Sequence, residues 1–229
     1  MAEPEPRHFL RKNWDLDLRA ELYKQEFYAT RAWASTRDQL VAPWDTSTTE
    51  ELKDLRLLKE KERPAHIGEI IREQLGPVMI GYWYDRLEIN PISHPRTSEL
   101  LHATIYLAGS VASYFKARFN RVRPWVLVPD LSPPIPSPGL PAYPGGHAAQ
   151  IHLMALTLAH LVPDRERELM GIADRVAGNR ERAGLNYRSD TEAGRKLAGD
   201  IFKILMSECE MFRSMLEKAK HDTPWDPPV

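Results

Sequence analysis

Eight of the nineteen prolines fall between residues 124 and 146, and that concentration decides much of what the chain can become. Proline fixes φ and lacks an N–H, so a segment this rich in it forms neither a helix nor a central strand. It is a long, stiff loop, and regular structure must lie on either side. Before it, Leu101, Ile105, Ala108, Ala112, Phe115 and Phe119 recur at spacings of three and four, which predicts a helix with Lys116 near its C-terminal end. After it, a helix is predicted from about Gly146 to Val162, stopped by Pro163, and another from about Asp164 to Ala183. Ser189-Asp190-Thr191-Glu192 has the spacing of a capping box. It would open a last helix with Ala193, Leu197, Ile201, Leu205, Cys209, Phe212 and Leu216 along one stripe. The tail from His221 to Val229 carries three prolines and cannot continue it.

The N-terminal part is less regular. Residues 1–13 are polar and proline-bearing and read as a loose arm. Leu16 to Trp33 has a rough helical spacing on a helix-forming background. Residues 48–74 begin with Thr48 or Thr49 as a cap and break near Pro64, and Val78 to Tyr84 is short and apolar, as a buried helix or a strand would be. No internal repeat is visible. The expectation is an all-α helical bundle: residues 1–95 an N-terminal helical region packing on the core, 96–220 the helical core, and 221–229 a tail.

A chain of 229 residues can bury a substantial core, and its 42% hydrophobic and 28% charged residues are those of an ordinary globular protein. The net charge of −1 supplies no basic field, so nucleic acid is not an expected partner. Cys209, the one cysteine, excludes an intrachain disulfide and a cysteine-built metal cluster. No stretch reaches the roughly 18 uninterrupted apolar residues of a membrane span, and the N-terminus lacks the apolar run of a signal peptide. A soluble, cytoplasmic protein is expected. Oligomeric state is not legible.

Three short segments carry the chemistry. Lys116 is followed seven positions later by Arg123-Pro124, where proline pushes Arg123 out of helical geometry. An arginine fork suits bidentate contact with phosphate oxygens, and a lysine adds a compact charge. Pro141-Ala-Tyr-Pro-Gly145-Gly146-His147 brings the proline loop into a helix whose first N–H groups favour an anion. Arg180 leads to Asn186 and Asp190. Each segment alone has a plain alternative: surface cations, a tight glycine turn, an acidic first-turn residue. His152 and His160 are assigned no role.

In this order and spacing the three segments resemble the signatures of the type 2 phosphatidic acid phosphatase superfamily, which includes class A bacterial acid phosphatases and vanadium-dependent haloperoxidases. The resemblance covers roughly residues 100–205. The spacing of the second and third segments is similar to that of the class A acid phosphatases. It implies that Lys116, Arg123 and Arg180 hold the oxygens of a phosphate or vanadate, with N–H groups from Gly145 and Gly146. It further implies that His147 is the general acid, and that Asp190 orients a nucleophilic histidine. Where that histidine belongs, this chain has Asn186, and where the pattern usually has serine it has Gly145.

An amide nitrogen is not basic, so Asn186 can neither attack phosphorus nor ligate vanadium as imidazole does. The resemblance with that departure implies a divergent protein that binds a phosphorylated or diphosphorylated small molecule without phosphohistidine chemistry. If it turns its ligand over, the chemistry is phosphatase-like or phosphate/diphosphate-lyase-like, through charge stabilisation and acid catalysis. A weak phosphomonoesterase, a non-catalytic binding or scaffold protein and a vanadium haloperoxidase stay open as alternatives. No metal is expected, and vanadate is disfavoured as a cofactor by the missing imidazole.

Overall fold

The computed structural model describes residues 13–74 and 76–222. Among them the protein is all-α, with eleven helices and no strand. The N-terminal part folds as α1 (Leu16–Ala29), α2 (Arg31–Thr36), α3 (Thr48–Lys61), α4 (Arg63–Arg72) and α5 (Gly76–Leu87). The long α6 (Pro95–Phe119) leads into the proline loop, which carries only the short α7 (Pro124–Leu127) and a single 3-10 turn. Then come α8 (Gly146–Leu161), α9 (Glu166–Arg182), α10 (Arg188–Glu208) and α11 (Glu210–Ala219).

α8 is buried on nearly every side, by Ala148, Ile151, Met154 and Leu158 towards α9 and by Ala149 and Leu153 towards α6 and α10. A helix apolar all round belongs in the middle of a domain, and α6, α9 and α10 surround this one. α1 and α11 pack on α6, where Tyr23, Phe27, Phe212 and Leu216 join its core. α3 and α4 lie on α9 and cover the loop: Leu55 meets Leu131, Ala142 and Tyr187, and Ile70 meets Ile135, Ala183 and Leu185. No helix among the described residues is long and apolar enough to cross a membrane.

The predicted helices are present with shifted ends. Thr30, whose hydroxyl accepts from Trp33 N–H at 3.2 Å, splits the first segment into two helices. Ser47, one residue before the expected caps, is the N-cap of α3. The open choice at Val78–Tyr84 resolves as helix. The stripe from Ala193 to Leu216 is two helices, because Cys209 is extended (φ −98°, ψ 99°). The expected box at Ser189–Glu192 is also corrected: Tyr187 is the N-cap of α10, and Asp190, three residues on, accepts its N–H at 2.9 Å. The loose arm expected at residues 1–13 lies, but for its last residue, outside the described residues, as does most of the tail.

Candidate functional site

Two helix ends and one helix start build the site. α6 stops because Asn120 adopts the left-handed conformation (φ 47°), which asparagine tolerates. Lys116, in the last turn, points inward with 5% of its surface exposed, and its Nζ donates to Pro141 O (2.6 Å) and Ala142 O (2.7 Å). Arg123, extended before Pro124, donates to Leu140 O (2.7 Å) and Leu185 O (2.8 Å). These carbonyls belong to the proline loop and to the turn after α9, so the stiff loop fixes two cations.

α9 ends in a Schellman turn. Leu185 N–H donates to Arg180 O and Gly184 N–H to Glu181 O, with Gly184 at φ 74°, where a side chain would be strained. This turn ends the helix just after Arg180 and swings Asn186 back beside Arg123. The guanidinium of Arg180 is buried, and its Nε has no hydrogen-bond partner.

Lys116, Arg123, Arg180, Gly146, His147 and Asn186 line one cavity of about 400 Å³. The start of α8 faces it, with the N–H groups of Gly146 and His147 lacking intrahelical acceptors. Crowding of buried positive charge shows in the titrating groups. Burial, then Arg123 and Arg180, bring Lys116 down to about 7 against the pull of Asp190. Arg180 falls to about 10 through burial and Arg123, with Glu73 opposing. His147, half-buried, is pushed down to about 3 by burial and then by the three cations. It is therefore neutral here, with Nε2 lying 3.2 Å from Gln74 O.

Asn186 is held between two acceptors. Its Nδ2 donates to Ala142 O (3.0 Å) and to Asp190 Oδ2 (3.2 Å), which turns its carbonyl oxygen towards Arg123. Asp190 is fully buried; burial pushes its carboxyl above the ordinary carboxylate range, against Arg121 and the Tyr187 N–H.

Gly145 departs from the expected anion donor. Its N–H donates to Asp190 O at 2.7 Å and it does not line the cavity. A Cβ there would sit 2.7 Å from that same carbonyl oxygen, and one on Gly194 would strike Gly145 O more closely still. The glycines let α8 and α10 meet backbone to backbone, so a serine at 145 requires moving α10.

One residue at the site carries no signature of its own. Arg121, 4% exposed, donates to Asp190 Oδ1 (2.8 Å), Ser189 Oγ (2.7 Å) and Glu51 Oε2 (2.7 Å). Its guanidinium lies 3.8 Å from the Tyr187 ring centroid and 4.6 Å from that of Trp44. Glu51, from α3, also accepts Ser189 N–H at 2.8 Å and so caps α10 from another helix. Burial raises the Glu51 carboxyl, but hydrogen bonds from Ser189, Arg121 and Thr46 outweigh it and hold it below the usual range. In the sequence Arg121 is one of four cations between residues 116 and 123, and only the fold separates it from its neighbours.

The chain is similar to non-specific acid phosphatases. Those of Salmonella typhi and Salmonella typhimurium are each 29% identical to it over 142 residues, covering 59% of this chain and 56% of theirs. The chain thus spans a little over half the length of the curated relatives it matches. No protein-family model matches it.

Proposed function

We propose that the cavity binds the phosphate group of a phosphorylated or diphosphorylated small molecule, and that it does so without forming a phosphoenzyme. One observation carries this: Arg180 is buried beside two other buried cations with its Nε unpartnered. Burying charge is costly, and the carboxylates that act on this set, Asp190 and Glu73, are already paired with Arg121 and Arg175, so a set of this kind calls for an anion. A tetrahedral oxyanion would take donors from Lys116, Arg123, Arg180 and the N–H groups of Gly146 and His147. Asn186, at the place of the family nucleophile, offers an amide that cannot attack phosphorus. A bound dianion offsets most of the charge of the three cations, raising His147 from its depressed value towards one at which it can protonate a departing oxygen. In such a departure the C–O bond of the substrate breaks, phosphate or diphosphate leaves with the electron pair under this charge stabilisation, and the carbon left behind loses a proton to water, so no nucleophile from the protein is required.

The similarity to acid phosphatases favours a second reading, in which water attacks phosphorus, the ester P–O bond breaks and His147 gives its proton to the leaving alkoxide. Single-turnover mixing with an aryl phosphate, quenched and probed for an acid-labile phosphoenzyme, tests both. Wild type should form none on either reading, and slow phosphate release would favour the second. Asn186→His should form one, since Asp190 already accepts a hydrogen bond from residue 186 and would leave the far ring nitrogen free. Gly145→Ser should hinder this through its contact with Asp190 O. A phosphoenzyme on the wild-type protein would overturn the proposal.

A further inference from the structure

The cradle occupies only one end of its cavity. We propose that the other end is a binding site for a compact, uncharged, apolar group, aryl in size and kind, carried on the phosphate that the cradle holds. This rests on the oxyanion reading above and specifies its substrate class. The outer wall is formed by Ile105, Tyr106 and Gly109 of α6, Gln150 of α8, and Pro138 and Leu140 of the loop.

Its polar groups are engaged with the protein itself. Tyr28 donates its hydroxyl proton to Ser110 Oγ (2.8 Å), Ser113 Oγ donates to Gly109 O (2.8 Å), and Gln150 Nε2 donates to Ile105 O (3.2 Å). The Tyr106 hydroxyl is engaged by Asp17, which leaves its ring for the wall. Lys24, at the same end, is paired with Glu21 at 2.7 Å. A polyhydroxyl group would find few open partners here and would lose its water. A second charge would find no free counter-ion. An apolar group loses nothing and gains by leaving water. The total volume of about 400 Å³ is at the small end for ligand pockets, so a phosphate leaves room for little more than one ring.

Gly109 supports the assignment. A glycine inside a helix is unfavourable relative to alanine, and here a Cβ would lie 2.9 Å from Gln150 Nε2. Its absence lets the Gln150 side chain lie against α6 at the cavity wall.

The test uses phosphonates, whose C–P bond resists hydrolysis, in calorimetric titrations of the whole chain. Phenylphosphonate should bind about tenfold more tightly than methylphosphonate, the ratio that burial of a small apolar group supplies. 2,3-Dihydroxypropylphosphonate should bind no better than methylphosphonate. Leu140→Ala removes a half-exposed side chain, and Gly109→Ala favours the helix while displacing Gln150, so both variants should fold. Each should weaken phenylphosphonate by about threefold or more and leave methylphosphonate unchanged. Equal affinity for the phenyl and methyl ligands, a preference for the dihydroxypropyl ligand, or equal loss of both in the variants would overturn the apolar subsite. Failure of methylphosphonate itself to bind would instead overturn the oxyanion reading beneath it.

Discussion

Arg121 and Arg123 stand two residues apart and are buried to almost the same degree, at 4% and 7% exposure, yet they sit in opposite electrostatic surroundings. Arg121 is clasped by two carboxylates and two aromatic rings. Arg123 has backbone carbonyls on one side and, across the cavity, two more cations, and the one carboxylate that acts on it, Asp190, is already held by Arg121. A buried charge whose partners are all present belongs to the architecture, and one whose partners are missing belongs to a ligand. The same residue type, in one stretch of chain, serves both ends.

The largest effect should come from breaking the satisfied cluster. Arg121→Ala leaves Asp190 and Glu51 buried and unpaired, and should destabilise the protein by about 3–5 kcal/mol, read as a shift in the urea unfolding midpoint. Arg180→Ala should behave oppositely in the ligand-free protein, holding or raising stability, because it removes a buried charge that has no hydrogen-bonded carboxylate and feels Glu73 only at a distance. Equal losses in the two variants would erase the distinction between the clusters.

The next effect is on binding. Arg180→Ala should weaken phosphate by about 2 kcal/mol, typical of losing a partner in a desolvated, charge-assisted bond, and Arg123→Ala by a similar amount. Calorimetry showing unchanged affinity in both would remove the cradle from the account.

The smallest effect, taken per pH unit, is a pH dependence. With Lys116 at about 7 in the folded protein, the unfolded chain holds a proton that the folded one gives up between there and the ordinary lysine value. Stability of the ligand-free protein should therefore rise with pH across that window, and below it the full cost of the buried charge is felt. An oxyanion favours the ammonium, so binding above pH 7 should take up a proton and weaken by up to about tenfold per pH unit. Sulfate, which does not titrate here, is the probe, in two buffers of different ionisation enthalpy. A flat affinity from pH 6 to 9 would mean that Lys116 keeps its charge without a ligand.

Local sequence spoke where local physics decides. Apolar spacing gave α6, the glycine entry and the proline stop gave α8, proline gave the loop and the extended Arg123, and the order of three basic and glycine segments gave six of the residues that line the cavity. Where tertiary contacts decide, it was silent or misleading. The stripe through Cys209 keeps its period across the break between α10 and α11, so periodicity shows one helix. Ser189 and Glu192 have capping-box spacing, but Glu51 caps Ser189 from far along the chain, and the helix begins earlier. Gly145 looks like a ligand-approach glycine until the Asp190 carbonyl is seen against it. Arg121 has no local mark, because its meaning lies in Glu51 and Asp190.

Where Gly145 and Gly194 touch, α8 and α10 are referenced to each other by main chain, with no side chain in between. Side chains hop between rotamers and adjust to strain; a bonded backbone pair has far less room to drift. The N–H donors at the start of α8 and the side chain at 186 are therefore held to a common datum. Substitutions in the surrounding core can repack without changing that separation, whereas a single methyl group at either glycine resets it. Variation in what the cavity accepts is then expected to come from its outer wall, while the distance across the cradle stays constant.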